Sequence, residues 1–376
     1  MSALTLPSFE VKGFRAFKDL RIERLGRVNL IVGKNNVGKT ALLEALQIYA
    51  EQGYPPLIWE LLSERDQVAH RTAIRSADTE ELLSALRHMY HDRPSGTRAT
   101  SVLWLGPIGI PDAKVTLSLI WIPRRALDDP WDKIEEYLSN RGEPGNRDGL
   151  IGDETPGLSI QIGQHHSILY SLERISPARF ARPDSNVKTC HFVRANGLTK
   201  AKVGDLWDNI ALTDLQQDVI QSLRIIAPGV EGLSLVAEAR GDVRDRIPIV
   251  RIAGMNEPIP LRSLGDGMQR MLGIALALVN AKDGILLVDE VENGLHYTVL
   301  PQLWRLIFET ARRLNVQVFA TSHSWECLEA FQQAAEEDRQ EDGILIRLEA
   351  KRNVITPTIF DERELEIATR EQIEVR

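Results

Sequence analysis

The sequence predicts an α/β fold with a mainly parallel core sheet, an antiparallel β subdomain and an inserted lobe of helices and strands. In the last third of the chain, apolar strands alternate with helical segments, which is typical of a parallel sheet buried on both faces. From about residue 101, apolar and polar residues alternate instead, which favours antiparallel strands. With 376 residues, 43% of them hydrophobic, the chain is long enough for about two domains.

The N-terminal part contains a phosphate-binding motif. Strands are predicted at 9–12, 20–23 and 28–32, and the last runs into a complete GxxxxGK[ST] loop followed by a helix from residue 40. The glycines let backbone N–H groups point at phosphates, and the helix N-terminus adds positive potential. We therefore predict a P-loop NTPase in which Lys39 reaches the β- and γ-phosphates of ATP and Thr40 holds Mg²⁺. The predicted ATP-binding residues are Gly33, Lys34, Asn35, Asn36, Val37, Gly38, Lys39, Thr40 and Ala41.

The middle of the chain, residues 57–244, is predicted to be the inserted lobe. It begins with helical segments and continues with antiparallel strands, a mobile loop rich in Gly, Pro, Asn and Asp at 140–157, and a helix at 204–224. Pro228 ends it. The helical segments are predicted at 57–62 and 79–88, and the antiparallel strands at 102–105, 115–122, 158–162 and 167–170.

Residues 172–202 are the most basic window, with seven Lys or Arg against two acids. This window is either a solvated face or a contact for nucleic acid or an acidic partner. The net charge of −8 argues against wholesale binding of nucleic acid.

The last third returns to the α/β pattern. The segments 1–56 and 245–348 are predicted to form one ATPase head, and an acidic tail follows at 349–376. The predicted elements are strands at 247–252, 285–289, 316–321 and 343–348 and helices at 269–281 and 299–314.

Two acids and a histidine are predicted to complete the site. Asp289 and Glu290 lie at the carboxyl end of an apolar strand, where α/β proteins form their ligand crevices. We expect Asp289 to lie in the Mg²⁺ shell and Glu290 to polarise the attacking water. His323 follows the next apolar strand and is expected to contact the γ-phosphate or to sense its loss. Lys39, Glu290 and His323 are thus the predicted catalytic residues, and Thr40 and Asp289 the predicted metal ligands.

The order of these features resembles the ABC-type ATPase heads of the SMC/RecF class. That order is a phosphate loop, a long insertion, a Ser/Gly loop with a helix at 261–270, an apolar strand with an acid pair, and a histidine. The stretches 290–296 and 320–324 resemble, more narrowly, the RecF-like ATPases of the OLD (overcoming lysogenization defect) group. The resemblance covers residues 8–50 and about 245–350, and the insertion lacks the heptad arms of SMC proteins, which implies a compact head.

The resemblance implies that two copies of the chain sandwich two ATP molecules. Each nucleotide would lie between one copy's phosphate loop and the other's signature loop, so that Ser263, Gly265 and Gly267 act in trans. The loop departs from the usual LSGGQ pattern, because Asp266 stands where a glycine is common and the serine is displaced by one. No glutamine can be assigned as the lid residue.

The resemblance also implies a function. An ATPase of this kind forms a homodimer or a larger homo-oligomer and serves as the sensor or gating subunit of an anti-phage system. The effector, such as a Toprim-like nuclease, would be a separate chain. Two alternatives stay open: a RecF-like DNA-repair ATPase that clamps DNA through residues 172–202, and a non-hydrolysing ATP-dependent scaffold.

Cysteine content and hydropathy predict a cytoplasmic protein. Cys190 and Cys327 are far apart, with no CxxC pair, and no apolar run approaches the ~18 residues of a membrane span. His88 and His91 are interpreted as part of a solvated face, and no structural metal is expected.

Overall fold

A computed structural model describes residues 4–65, 79–94, 99–124, 154–164, 166–174, 187–237, 246–338, 342–352, 354–361 and 364. The strands are β1 (Phe9–Phe14), β2 (Phe17–Ile22), β3 (Val28–Val32), β4 (Ser101–Gly106), β5 (Val115–Pro123), β6 (Glu154–Ile162), β7 (His166–Ser171), β8 (Cys190–Val193), β9 (Val230–Ala237), β10 (Arg246–Ile252), β11 (Ile259–Pro260), β12 (Ile285–Val288), β13 (Gln317–Thr321), β14 (Gly343–Lys351) and β15 (Val354–Phe360). The helices are α1 (Lys39–Ala50), α2 (Pro55–Ser63), α3 (Thr79–Arg87), α4 (Lys200–Ile210), α5 (Asp214–Arg224), α6 (Asp266–Asn280), α7 (Leu300–Arg313) and α8 (Trp325–Asp338).

The core sheet confirms the predicted α/β fold. Its strand order is β15-β14-β3-β13-β12-β8, and all neighbours pair in parallel except the edge strand β15. Every residue of β3, β12 and β13 is buried. Strands that are mainly apolar can be covered on both faces, which is the arrangement observed.

Alternate side chains of the core sheet enter two separate hydrophobic cores. Leu30 and Leu286 pack with helices α4 to α8, whereas Ile31 and Leu287 pack with α1 to α3 and a second sheet. This alternation follows from the two-residue period of a strand. The core sheet is therefore the middle layer, and its carboxyl edge lies between the two cores.

The second sheet is antiparallel, in the order β2-β1-β4-β5-β6-β7, and a small antiparallel sheet consists of β11-β10-β9. Strand β4, from the predicted insertion, pairs directly with β1 in the register Val11 to Leu105. Strand β8 also comes from residues 57–244, yet it pairs in parallel with β12. The predicted insertion thus contributes strands to both large sheets, and the division into four segments stays a prediction.

Two local predictions are wrong. The helix predicted at 204–224 is two helices, α4 and α5, because the chain turns at Leu212, which has a φ of 61°, before Thr213 begins the second helix. The loop predicted at 140–157 overlaps β6, whose first four residues pair with the end of β5. Residues 140–153 lie outside the described part of the chain. None of the described helices is long and apolar enough to cross a membrane.

Candidate functional site

The phosphate loop connects β3 to α1, and two of its glycines have positive φ values. Gly33 and Gly38 have φ values of 143° and 90°, and a Cβ at Gly33 would lie 2.5 Å from the carbonyl oxygen of Leu348. No other residue type fits that position without displacing the backbone. Lys39 Nζ donates to the carbonyl oxygens of Gly33 at 2.6 Å and Lys34 at 3.2 Å, so it is held across the mouth of the loop.

Asp289 joins the phosphate loop to the neighbouring strands. Thr40 Oγ1 donates to Asp289 Oδ2 at 3.0 Å, and Thr321 Oγ1 donates to Asp289 Oδ1 at 2.6 Å. The three residues come from α1 and from the ends of β12 and β13. They meet because the carboxyl ends of adjacent parallel strands lie at one edge of the sheet. Asp289 is only 8% exposed, and each of its carboxylate oxygens accepts a hydrogen bond from one of these hydroxyl groups.

Glu290 has the left-handed backbone conformation, with a φ of 51°. Its N–H donates to Thr321 Oγ1 at 2.8 Å, and this contact fixes the turn that follows β12. A non-glycine residue in this region is uncommon and is typical of functional turns. The turn leaves the Glu290 side chain 39% exposed, facing the same cleft as the phosphate loop.

His323 lies beside the acid pair and is held by Glu292. His323 Nδ1 lies 3.8 Å from Glu290 Oε1 and 3.5 Å from Glu292 Oε1. Glu292 Oε1 also accepts hydrogen bonds from the backbone N–H of His323 at 3.0 Å and from Ser322 Oγ at 2.9 Å. Glu292 thus attaches the turn after β12 to the loop after β13.

The signature segment lies outside this cleft. Ser263 is exposed in a turn at Leu261–Leu264, and Gly265, with a φ of 99°, caps the N-terminus of α6. A Cβ at Gly267 would lie 2.7 Å from the carbonyl oxygen of Gly294, so the segment packs on the turn that follows the acid pair. None of these predicted ATP-binding residues lines the cleft of their own chain.

Arg270 attaches the signature helix to the acid pair from behind. Its Nη2 donates to the carbonyl oxygens of Asp289 at 2.6 Å and Glu290 at 2.9 Å. Burial lowers the pKa of Arg270 to about 10, against the opposing effect of the nearby acids Asp289, Glu292 and Glu290. At neutral pH the guanidinium group therefore stays charged, and α6 is tied to the backbone that carries both carboxylates.

A cleft of about 520 Å³ joins the phosphate loop to the acid pair. One part of its lining consists of residues predicted from the sequence, namely Asn35, Asn36, Gly38, Lys39, Thr40, Ala41, Asp289 and Glu290. Sequence reasoning missed the other part, which contains four basic residues from separate segments: Arg15, Arg65, His88 and Arg93. No motif connects these four residues, and only the fold brings them together.

The side chains at this site suit a magnesium nucleotide. Thr40 and Asp289 present oxygen atoms side by side, the ligand type that Mg²⁺ prefers when phosphate oxygens and water complete its shell. Burial lowers the pKa of Lys39, and Asp289, Glu290 and Glu292 raise it in opposition. Within the described ranges, no group of three or more His, Cys, Asp or Glu could hold a metal ion unaided. Any Mg²⁺ here would depend on the nucleotide for further ligands.

The basic window at 172–202 is only partly described. Arg194 forms an ion pair with Glu64 and lies 4.5 Å from the centre of the Phe192 ring, so its charge is already compensated inside the fold. Arg179 and Arg182 lie outside the described residues. Contact with DNA through this window stays a prediction.

Comparisons with known proteins place this site in context. A family model described as an AAA ATPase domain matches residues 5–81. A second, described as an AAA domain, putative AbiEii toxin, type IV toxin–antitoxin system, matches residues 182–329. The first match contains the phosphate loop, and the second contains the signature segment, the acid pair and His323.

Individual proteins also match the chain. The chain is 22% identical over 352 residues to an ATP/GTP phosphatase of Helicobacter pylori, covering 88% of this chain and 89% of the relative. It is 39% identical over 51 residues to the uncharacterized protein MJECL10 of Methanocaldococcus jannaschii, covering 13% of this chain and 23% of that protein. Among solved structures, an SMC head bound to the C-terminal winged-helix domain of ScpA aligns with a TM-score of 0.50 at 12% identity, covering 97% of this chain and 99% of that one. This likeness shows the fold.

Proposed function

We propose that this chain, an ABC-type ATPase head of the SMC/RecF class, binds ATP with Mg²⁺ in the cleft beside the phosphate loop and hydrolyses it. The observation that carries the proposal is that Lys39, Thr40, Asp289 and Glu290 line one cleft, with Thr40 Oγ1 3.0 Å from Asp289 Oδ2. The similarity to an ATP/GTP phosphatase supports the same reaction class.

Each residue has a role that follows from its position. Lys39 and the loop N–H groups bind the phosphates, and Thr40 and Asp289 hold Mg²⁺, which neutralises charge on the transferring phosphoryl group. Glu290 accepts a proton from the attacking water, because its carboxylate is the exposed member of the acid pair. His323, within 3.8 Å of Glu290, contacts the γ-phosphate or responds to its departure.

A second copy of the chain completes the site. Ser263, Gly265 and Gly267 are exposed or partly exposed and lie outside their own cleft, so they remain accessible to the nucleotide of another protomer. Glycine and the N-terminus of α6 suit a phosphate, since both provide backbone N–H groups. The protein would then assemble as an ATP-sandwiched homodimer or a larger homo-oligomer.

We further propose that the assembly is the sensor or gating subunit of a two-component phage-defence system. The effector is a separate protein, such as a Toprim-like nuclease. The OLD-like stretches at 290–296 and 320–324 support this role, and the toxin-related description of the matched family is compatible with it.

The variant Glu290→Gln tests the reaction and the assembly together. It removes the proton acceptor while retaining the size of the side chain and one acceptor oxygen, so phosphate release should fall by about 10²-fold or more. Light scattering should show a stable dimer with Mg-ATP but not with Mg-ADP. Glu309→Gln is the control, because Glu309 is an exposed glutamate on α7. Unchanged phosphate release by Glu290→Gln would contradict the mechanism, and a protein that stays monomeric with ATP would contradict the sandwich.

A further inference from the structure

A buried carboxylate on the phosphate-loop helix binds two arginines. Glu44 lies one turn after Thr40 on α1, and its side chain is 3% exposed. Arg15 Nε lies 2.8 Å from Glu44 Oε2, while Arg65 Nε and Nη2 both lie 2.9 Å from Glu44 Oε1. Glu44 Oε1 therefore accepts a hydrogen bond from Arg65, whereas Oε2 makes an ion-pair contact with Arg15 that lacks hydrogen-bond geometry.

The two arginines reach the cleft from distant parts of the chain. Arg15 belongs to the turn between β1 and β2, and Arg65 follows α2. Both line the cleft that contains the phosphate loop. Glu44 is not among the lining residues, so it contacts the two arginines from outside the cleft.

Arg15 has two unused donors in this position. Its side chain is only 7% exposed, and its Nε and Nη2 are buried without a hydrogen-bond partner among the described residues, because the short contact of Nε with Glu44 lacks hydrogen-bond geometry. Burial lowers the pKa of Arg15 to about 10, Glu44 opposes that effect and Arg65 adds to it. A charged, buried donor group without an acceptor is unfavourable, so the site is suited to an anion that would supply one.

Two more basic side chains extend the same wall. Burial lowers the pKa of His88, and the nearby positive charges of Arg93 and Arg15 lower it further. Neither His88 nor Arg93 forms an ion pair with the part of the chain that the structure describes. Three guanidinium groups and one buried carboxylate give this wall a net positive charge, opposite in sign to Asp289 and Glu290.

We propose that Glu44 is a positioning residue that fixes Arg15 and Arg65 in the wall of the cleft, where they favour a nucleoside triphosphate over a diphosphate. This inference rests on the proposed function, because it requires a nucleotide in the cleft. A triphosphate carries more negative charge than a diphosphate, and guanidinium groups bind phosphate oxygens through paired N–H donors.

The experiment compares the affinities of two nucleotides. Dissociation constants for Mg-ATP and Mg-ADP are measured by titration calorimetry in the Glu290→Gln background, so that ATP is not consumed. Arg65→Gln should weaken ATP binding about tenfold, the effect of losing one charge-assisted contact at a partly exposed site, and ADP binding less than about threefold. Arg305→Gln is the matched control, because Arg305 is an exposed arginine paired with Glu337 on α8, away from the cleft.

Substitutions of Glu44 separate positioning from folding. Glu44→Gln should lose more of the ATP-over-ADP preference than Arg65→Gln, because it releases both arginines, and Glu44→Asp should restore part of it. A thermal melt of each variant shows whether it is folded. If Glu44→Gln does not fold, the measurements on Arg65→Gln alone decide whether the cleft arginines favour ATP over ADP.

The outcomes distinguish this inference from the proposed function. If the parent protein binds neither nucleotide, the proposed function fails. If the parent binds ATP but Arg65→Gln lowers the affinities for ATP and ADP by the same factor, the selectivity inference fails and the proposed function stands. The same conclusion follows if Arg65→Gln changes neither affinity.

Discussion

The hydroxyl group of Thr321 supports the metal-binding carboxylate, and its removal should be measurable in both stability and Mg²⁺ dependence. Thr321 is fully buried, donates to Asp289 Oδ1 at 2.6 Å and accepts the N–H of Glu290 at 2.8 Å. Valine has nearly the same shape but can make neither contact. Thr321→Val therefore tests the hydrogen bonds with little change in packing.

The expected loss of stability follows from these two contacts. A hydrogen bond to a charged group contributes about 1.5–3 kcal/mol, and a buried N–H left without an acceptor costs about 1–3 kcal/mol. The second effect lies at the low end, since Glu290 is only partly buried. Because one hydroxyl makes both contacts, the two effects are not additive. We expect about 2–3 kcal/mol in total, which corresponds to a fall in melting temperature of about 2.5–4 °C for a chain of 376 residues.

Thr310→Val provides the comparison in a thermal melt without nucleotide. Thr310 is 4% exposed on α7 and makes no side-chain hydrogen bond to a described residue. A second measurement follows phosphate release against Mg²⁺ concentration, where Thr321→Val should require about tenfold more Mg²⁺, because Asp289 loses a group that orients it. If the melting temperatures of the two valine variants differ by less than about 1 °C, the assigned role of the Thr321 hydroxyl is wrong.

Two further predictions concern stability. Burial and the charge of Lys202 lower the pKa of His191 to about 4, below its ordinary value of 6.5. The unfolded chain therefore binds more protons than the folded chain between pH 6.5 and 4, and the stability of the protein should decrease as the pH is lowered through that window. His191→Phe should remove about 2 kcal/mol of the loss seen in urea unfolding between pH 7.5 and 5, and an unchanged pH dependence would exclude His191 as its source. A Cβ at Gly284 would lie 2.1 Å from the carbonyl oxygen of Thr189, so Gly284→Ala should destabilise the protein by about 1–3 kcal/mol. Gly232→Ala, with no atom within 4 Å of its Cβ, should change the urea midpoint little, and equal effects of the two alanines would contradict this steric argument.

The sequence carried the information for the parallel core because its signals are local. Strands such as β12 are short apolar runs that end in functional residues, and the phosphate loop is defined by fixed spacing. The structure accordingly brings Thr40 and Asp289 within 3.0 Å, as the predicted shared Mg²⁺ shell requires. Their roles, and that of His323, stay predictions until they are tested.

Long-range pairing could not be predicted in the same way. The sequence of β4 shows that it is a strand, but not that it pairs with β1, because many apolar strands in the chain offer a similar pattern. The break between α4 and α5 was missed because apolar residues continue at helical spacing across Leu212. Arg15 and Arg65 were missed for another reason: a cluster that depends on tertiary contacts leaves no spacing in the sequence.

The position of β3 has a consequence for synthesis of the protein. Its two neighbours in the core sheet, β13 and β14, lie 290 and 315 residues further along the chain, since Val28 pairs with both Val318 and Gly343. A growing chain therefore carries the strand of the phosphate loop with both edges unpaired until nearly all residues have left the ribosome. Exposed apolar strand edges promote aggregation, and contacts between distant residues form slowly. We expect truncated chains that end before β13 to aggregate, even though they contain the complete phosphate loop.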